Sequence, residues 1–445
     1  MIVGAFQSMR PAIGRSYDDA PVALRAIPPI RRPIDKRVRV PASKSVANRE
    51  LVLAALADGR SEIDLGPLDP GEDVTAMREA IAALGYRVDG GPTGRVVVTG
   101  AGSSPPAIVA AVDAREAGTV ARFVTALAAT RVGRTTIDGS ARLRQRPIAP
   151  LLRALRELGA TVDGDALPVT VAGPLAGGEV QVEGHRSSQF ASALLLVGCR
   201  ARRGVTVRLS GTVVSAPFIA LTVRTLEARG VRVQRGALAN EFIVAPQPVR
   251  ARAIRVPGDA SAATYAAAAA AILGGRVTIE NVDAHRRTGE QGDVRFFDVL
   301  GAMGCSVDRG SGSVTVRRTG ALYGVREDLR DISDTFPTLA VVAACASGRS
   351  EFLGLGHTRG QESDRIGAVA AGLRALGVRA TVYADGIEIV PGPLTGATVD
   401  AAGDHRIAMA FSILGLQVPG VAIDGAEVVV KTFPGFYDMV AELAR

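Results

Sequence analysis

The sequence predicts a mixed α/β protein built from six copies of one unit, three copies in each of two domains. Two interleaved markers predict it. A glycine closes a two-faced helical pattern at Gly85, Gly159, Gly230, Gly304 and Gly377, with successive spacings of 74, 71, 74 and 73 residues. Between these glycines runs a second series of alanine-rich segments, each followed by a β-branched strand pattern. Independent markers sharing one period of about 72 residues are the signature of a repeat architecture.

The first marker reads AMREAIAALGYRV, LLRALRELGATV, LTVRTLEARGVRV, FFDVLGAMGCSV and AAGLRALGVRATV, with FYDMVAELAR as a sixth copy cut off at its glycine position. Its apolar residues recur at helical spacing with Arg and Glu on the other face. This helix therefore lies against a sheet with its charged side wet. The glycine stands where the helix C-terminus needs a left-handed residue before turning into a strand. The second marker reads ANRELVLAALADGRSEI, RFVTALAATRVGRTTI, ASALLLVGCRARRGVTV, ATYAAAAAAILGGRVTI, TLAVVAACASGRSEF and IAMAFSILGLQVPGVAI. A helix apolar all round and poor in bulk belongs in the interior, close-packed against its sisters. One such unit cannot close a core alone. One domain is assigned to residues 42–257 and the other to 22–41 and 258–445, with 1–21 as a flexible N-terminal extension.

Composition bounds the function. A chain of 445 residues, 47% hydrophobic and 22% charged, buries two cores without staples. Cys199, Cys305 and Cys345 are odd in number and set in apolar stretches, which predicts free thiols in a reducing compartment and a cytoplasmic location. No apolar run approaches the ~20 residues of a membrane span, and MIVGAFQSMRPAIGR lacks the apolar stretch of a secretory signal. The four histidines are isolated, so no metal site is expected. The formal charge of +8 is dispersed and aromatics are only 4%, which disfavours a nucleic-acid surface. Small multi-anionic substrates use the same excess. All but three of the 52 basic residues are arginine; the lysines are Lys36, Lys44 and Lys431. None follows glycine, so there is no Gly-Lys phosphate loop. In so arginine-rich a chain, a retained lysine suggests a need for a compact, rotatable ammonium.

Polar residues gather just ahead of the alanine-rich segments: Pro41-Ala42-Ser43-Lys44-Ser45, Glu116-Ala117-Gly118-Thr119, Ser187-Ser188-Gln189 and Gly403-Asp404-His405-Arg406. Helix N-termini present free N–H groups that suit anions. Ser and Thr also cap helices everywhere, but four such starts together imply convergence on one anionic ligand.

In order and spacing, PASKSVANR, AGTVAR, ARLRQRP, SSQF, ESDR, DHR and KTFP resemble the motifs of the enolpyruvyl transferases, most closely the EPSP synthase family, over roughly residues 36–440. The resemblance implies a two-domain inside-out α/β barrel of six βαβαββ repeats, three per domain, with helices inside and sheets outside. It implies transfer of the enolpyruvyl group of phosphoenolpyruvate to the 5-hydroxyl of shikimate 3-phosphate. The products are 5-enolpyruvylshikimate 3-phosphate and phosphate, on the shikimate route to chorismate and the aromatic amino acids. It further implies a monomer with no cofactor, no metal, and no nucleic-acid or membrane partner.

Carried over by motif, Lys44, Lys431 and Arg142 grip the phosphate side of phosphoenolpyruvate, and Arg365 and Arg406 hold its carboxylate. Gly118 leaves room for the ligand and Gln189 touches both substrates. Ser45, Arg49, Ser187, Ser188 and Ser215 hold the acceptor. Asp334 takes the alcohol proton, with Asp331 as the competing choice, and Glu362 and Lys44 assist proton transfer. The chain departs from the pattern at Arg359-Gly360-Gln361-Glu362-Ser363-Asp364-Arg365, where Gln361 replaces a family lysine that contacts the phosphorylated acceptor. His357 and Phe218 replace Asn and Tyr of the enterobacterial pattern, and His185-Arg186 adds positive charge beside Ser187. The alternative is a paralogue acting on another phosphorylated alcohol such as a nucleotide. A non-catalytic or nucleic-acid-binding protein of the same repeat fold is opposed by the intact set of proton-transfer carboxylates.

Overall fold

A computed structural model describes residues 24–238, 240–285 and 291–445; the expected extension 1–21 lies outside the described residues. In chain order the helices are α1 (Lys44–Leu56) and α2 (Glu72–Ala83) of the first unit, then α3 (Gly118–Ala128), the single turn α4 (Ala141–Arg144) and α5 (Ala149–Glu157) of the second. The third holds α6 (Ser188–Gly198) and α7 (Ala216–Ala228), and the fourth α8 (Ala260–Leu273) and α9 (Phe296–Ala302). The fifth holds α10 (Phe336–Ala344) and α11 (Arg365–Ala375), and the sixth α12 (His405–Gly415) and α13 (Phe436–Ala444).

The two helix types behave as their composition dictates. Every residue of α10 and α12, and all of α8 but Ser261, is buried. By contrast α5 buries Leu151, Leu152, Ala154 and Leu155 and leaves Arg153 and Glu157 exposed. All five marker glycines take positive φ, from 80° to 102°. Each is followed by a residue whose N–H reaches back to the carbonyl five positions earlier: Tyr86 to Ile81, Ala160 to Leu155, Val231 to Leu226, Cys305 to Leu300 and Val378 to Leu373. This is the Schellman closure, and it needs a residue free to occupy left-handed space.

The second unit shows the strand plan. Ala110–Asp113 pairs parallel with Thr135–Asp138, which pairs antiparallel with Val169–Ala172, and Thr161–Asp163 closes the edge. With α3 and α5 between strands, the order is βαβαββ, and the third and fifth units repeat it. The first and fourth exchange their leading strands. Asp58–Asp64 takes Ala253–Arg255 as its parallel neighbour, while Gly275–Ile279 takes Ile34–Val38. The sixth unit lacks its last two strands, and Arg25–Ala26 fills the antiparallel place beside Ala422–Asp424.

Those exchanges carry the chain twice between two cores, one formed within 42–256 and the other from 27–40 and 260–443. At the crossing the strands are clipped by Ser43 N–H to Pro257 O and Asp259 N–H to Pro41 O, both 2.8 Å. The thiols of Cys199, Cys305 and Cys345 are free. Among the described residues no helix is long and apolar enough to cross a membrane.

Within the first core an ion pair is sealed. Arg229, without exposed side-chain surface, donates Nε to Glu50 Oε2 at 2.7 Å and Nη1 to Ser61 Oγ at 3.0 Å. Such a pair gives little net stability when intact, but breaking it strands a buried charge. Glu50→Ala should lose about 3–5 kcal/mol of unfolding free energy, measured by urea denaturation. Pairing Glu50→Leu with Arg229→Met should restore most of that loss.

Candidate active site

The N-termini of the inner helices open onto a cavity of about 380 Å³ between the two cores. Lys44 and Ser45 begin α1, Gly118 and Thr119 begin α3, Ser187 and Ser188 begin α6, and Arg406 begins α12; all line it. Lys44, Arg49, Arg122, Arg146, Arg186, Arg365 and Arg406 outnumber the lining carboxylates Asp73, Asp334 and Glu362. With helix N-termini aimed the same way, the cavity is built for anions.

One wall is organised around Arg365, whose side chain is 1% exposed. Its Nε donates to Asp404 Oδ2, Nη1 to Asp334 Oδ1 and Nη2 to Glu362 Oε2, each at 2.8 Å, and Nη1 also meets the Gln361 amide oxygen. Arg406 Nη2 donates to the other Asp334 oxygen at 2.7 Å. Asp404 caps α12 by accepting from Arg406 N–H, and Asp364 caps α11 and pairs with Arg359. Burial alone would raise the Asp334 carboxyl, but Arg406 and Arg365 outweigh it and hold it below its ordinary range. Glu362 is likewise raised by burial and pulled well below its range by Arg146, at 3.3 Å, and Arg365. Burial lowers Arg365 and Arg406 less than their carboxylates raise them, so both stay fully charged.

A second wall holds the lysines. Asp73, in the first turn of α2, receives Lys44 Nζ at 3.0 Å and faces Lys431 Nζ at 3.4 Å. Lys431 also donates to Glu116 O at 2.7 Å. Gly71 makes this junction possible: a Cβ there would fall 2.6 Å from Lys431 O, and its φ is +93°. Burial raises Asp73, but Lys431 and Lys44 bring it below its ordinary value. The far side carries Arg49, which donates to Thr222 Oγ1 and Ser45 O at 2.8 Å, and Arg122, which donates to Gln189 Oε1 at 2.5 Å. Burial lowers Arg49 and Arg122 to about 9, still cationic at neutral pH. A Cβ on Gly118 would lie 2.9 Å from both Arg122 Nη1 and Arg146 Cζ.

Of the residues singled out in the sequence, Lys44, Ser45, Arg49, Gly118, Ser187, Ser188, Gln189, Ser215, Asp334, Gln361, Glu362, Arg365 and Arg406 line the cavity. Lys431 stands behind Asp73 rather than in the lining. Arg142 is also absent from the lining; its guanidinium meets Ala402 O and packs on Gly403, across the boundary between the cores. Asp331, the competing proton acceptor, stands outside the lining too and accepts from Ala216 N–H at 3.2 Å. Sequence reasoning passed over Arg122, Arg146 and Asp73. The two arginines stand inside AGTVAR and ARLRQRP, so their motifs flagged them; Asp73 had no signal beyond its place at a helix start. His357 Nε2 bonds Ser333 Oγ at 2.9 Å, and burial keeps its pKa low.

A family model described as EPSP synthase (3-phosphoshikimate 1-carboxyvinyltransferase) matches residues 29–440. The chain is similar to the 3-phosphoshikimate 1-carboxyvinyltransferase of Thermococcus kodakarensis, 43% identical over 93% of this chain and 99% of that protein. It is also similar to the one from Methanosphaerula palustris, 41% identical over 92% and 97%. Among solved structures, an EPSP synthase from Acinetobacter baumannii superposes with a TM-score of 0.78 at 27% identity, covering 95% of this chain and 98% of that one.

Behind the Arg406–Asp334 pair lies a buried carboxyl, Asp293. Ser261 Oγ bonds one oxygen and the other has no partner among the described residues. Burial, and then Asp334, push its pKa up to about 7. A carboxyl raised on folding stabilises fully below its unfolded pKa and loses that contribution as pH rises through the folded value. Asp293→Asn has no proton to lose. Its thermal midpoint should therefore gain on the parent between about pH 4 and about pH 7 and keep a constant lead above. A pH-independent difference in differential scanning fluorimetry would refute this.

Proposed function

The chain belongs to the EPSP synthase family, and from that membership we propose that it transfers the enolpyruvyl group of phosphoenolpyruvate to the 5-hydroxyl of shikimate 3-phosphate with release of phosphate. The observation that carries the reading is the pair of arginine forks, Arg365 and Arg406, sharing Asp334 inside a cavity lined mostly by cations. The reaction needs a carboxylate clamp, a phosphate clamp and proton-transfer groups within reach of one carbon centre.

The forks suit the phosphoenolpyruvate carboxylate, which two parallel N–H bonds can hold. Lys44 and Lys431 supply ammoniums for its phosphate, with Arg146 from the lining, whereas Arg142, expected there from its motif, is held on Ala402 O outside it. Protonation of the C3 methylene makes C2 electrophilic, the acceptor hydroxyl adds, and loss of phosphate with a methyl proton restores the enol ether. Asp334 takes the hydroxyl proton, and Glu362 and Lys44 serve the methylene. Both carboxylates are saturated by arginine. An entering substrate carboxylate competes for those forks and adds negative charge, which raises both carboxyls toward the range where they exchange protons.

Ser45, Arg49, Ser187, Ser188, Gln189 and Ser215 form the acceptor side. Gln361 gives its amide oxygen to Arg365, which leaves its NH2 group as a neutral donor where the family pattern carries an ammonium. That forgoes about 1–2 kcal/mol of charge assistance. Arg186, beside His185 and His357 in the same lining, returns positive charge to it. The relatives, which carry the 3-phosphoshikimate name, do not favour another alcohol as acceptor.

The test is phosphate release from phosphoenolpyruvate with shikimate 3-phosphate, UMP or UDP-N-acetylglucosamine as acceptor. Turnover is expected with the first; turnover with a nucleotide alone would overturn the reading. Lys431→Arg should lower kcat/KM by about 100-fold, because a planar fork cannot replace the compact ammonium between Asp73 and Glu116 O. Lys36→Arg, on the Ile34–Val38 strand, should change it by less than about twofold.

A further inference from the structure

Ser215 lines the cavity with φ 52° and ψ 39°. An L-residue reaches left-handed space only where its surroundings impose it, and the serine hydroxyl does not offset the strain by capping α7. The constraint comes from the other core. Ser215 N–H donates to Arg330 O at 3.1 Å, and Ala216 N–H donates to Asp331 Oδ1 at 3.2 Å. Pro217 seats against Gly292, where a Cβ would come within 2.3 Å of Pro217 Cβ. These two amides are free donors at the start of α7, ahead of a proline that has none. The segment that satisfies them runs on within three residues to Asp334, in the turn Ser333–Thr335.

We propose that Asp331 is a positioning residue for the acceptor: by accepting Ala216 N–H across the boundary between the cores, it holds Ser215 in the conformation that presents its hydroxyl to the acceptor's phosphate. This rests on the function proposed above. Asp331 touches no substrate and acts through the α7 N-terminus. One rigid segment thus sets both the acceptor's anchor and the group that takes its proton.

The test is steady-state kinetics with shikimate 3-phosphate and phosphoenolpyruvate varied separately. Asp331→Leu should raise the KM for shikimate 3-phosphate about tenfold while kcat and the KM for phosphoenolpyruvate stay within about twofold. Asp331→Asn keeps an acceptor oxygen and should return the KM to within about threefold of the parent. Ser215→Ala should raise the same KM, and adding Asp331→Leu to it should raise it no further, because the two act as one unit. Gly292→Ala, which displaces Pro217 without touching Asp331, should give the same selective rise should Asp331→Leu fail to fold. Multiplicative effects in the double variant, no rescue by Asn, or equal losses for both substrates would overturn the assignment. A parent enzyme silent with shikimate 3-phosphate would instead overturn the acceptor itself, a result visible before any variant is made.

Discussion

A single buried guanidinium organises the site. Arg365 is a cation with 1% of its side chain exposed, and its charge is tolerable only because Asp404, Asp334 and Glu362 surround it in hydrogen-bonding geometry. Those partners come from the start of α12, the turn before α10 and the loop before α11. Burying the arginine therefore fixes three chain segments relative to one another. It also leaves two carboxylates saturated by cations in a cavity, a state that an incoming anion disturbs. The same interaction that makes the wall rigid makes it responsive to substrate.

The fold exists to bring such walls together. Alanine-rich helices are thin, so three can pack closely within each core with their N-termini turned to one side. Because the two cores exchange leading strands at Ile34–Val38 and Ala253–Arg255, the chain crosses beside the cavity, and Ser43 at the head of α1 is clipped to the crossing strand. The lysines show the result. Lys44 from one core and Lys431 from the other meet at Asp73, although they are nearly the whole chain apart in sequence.

Much of this was legible beforehand, and the reasons are local. The marker glycines announced themselves because a Schellman closure needs left-handed space, a demand made by a few adjacent residues. The inner helices were visible because a helix apolar on every side has nowhere else to go. Lys44, Glu362, Arg365 and Arg406 sit in short motifs whose residue types match the anions they face. What escaped was relational. Nothing near Asp73 in sequence says that two ammoniums will converge on it. Arg142 and Arg146 share one motif, yet the turn of α4 aims one at the boundary between the cores and the other at Glu362. Asp331 and Asp334 lie three residues apart, and only the approach of α7 distinguishes a carboxylate that accepts a backbone N–H from one that lines the cavity.

The sequence by itself determined the unit, its sixfold repetition, which helix of each pair is interior, and the anionic character of the ligand, because periodicity, side-chain volume and charge are properties of neighbouring residues. Only the tertiary structure decided which oxygen each arginine holds, where Gln361 spends its amide, and why Ser215 accepts a strained backbone. Those outcomes depend on distances between segments hundreds of residues apart, and in a buried site a few tenths of an ångström separate a satisfied charge from a stranded one.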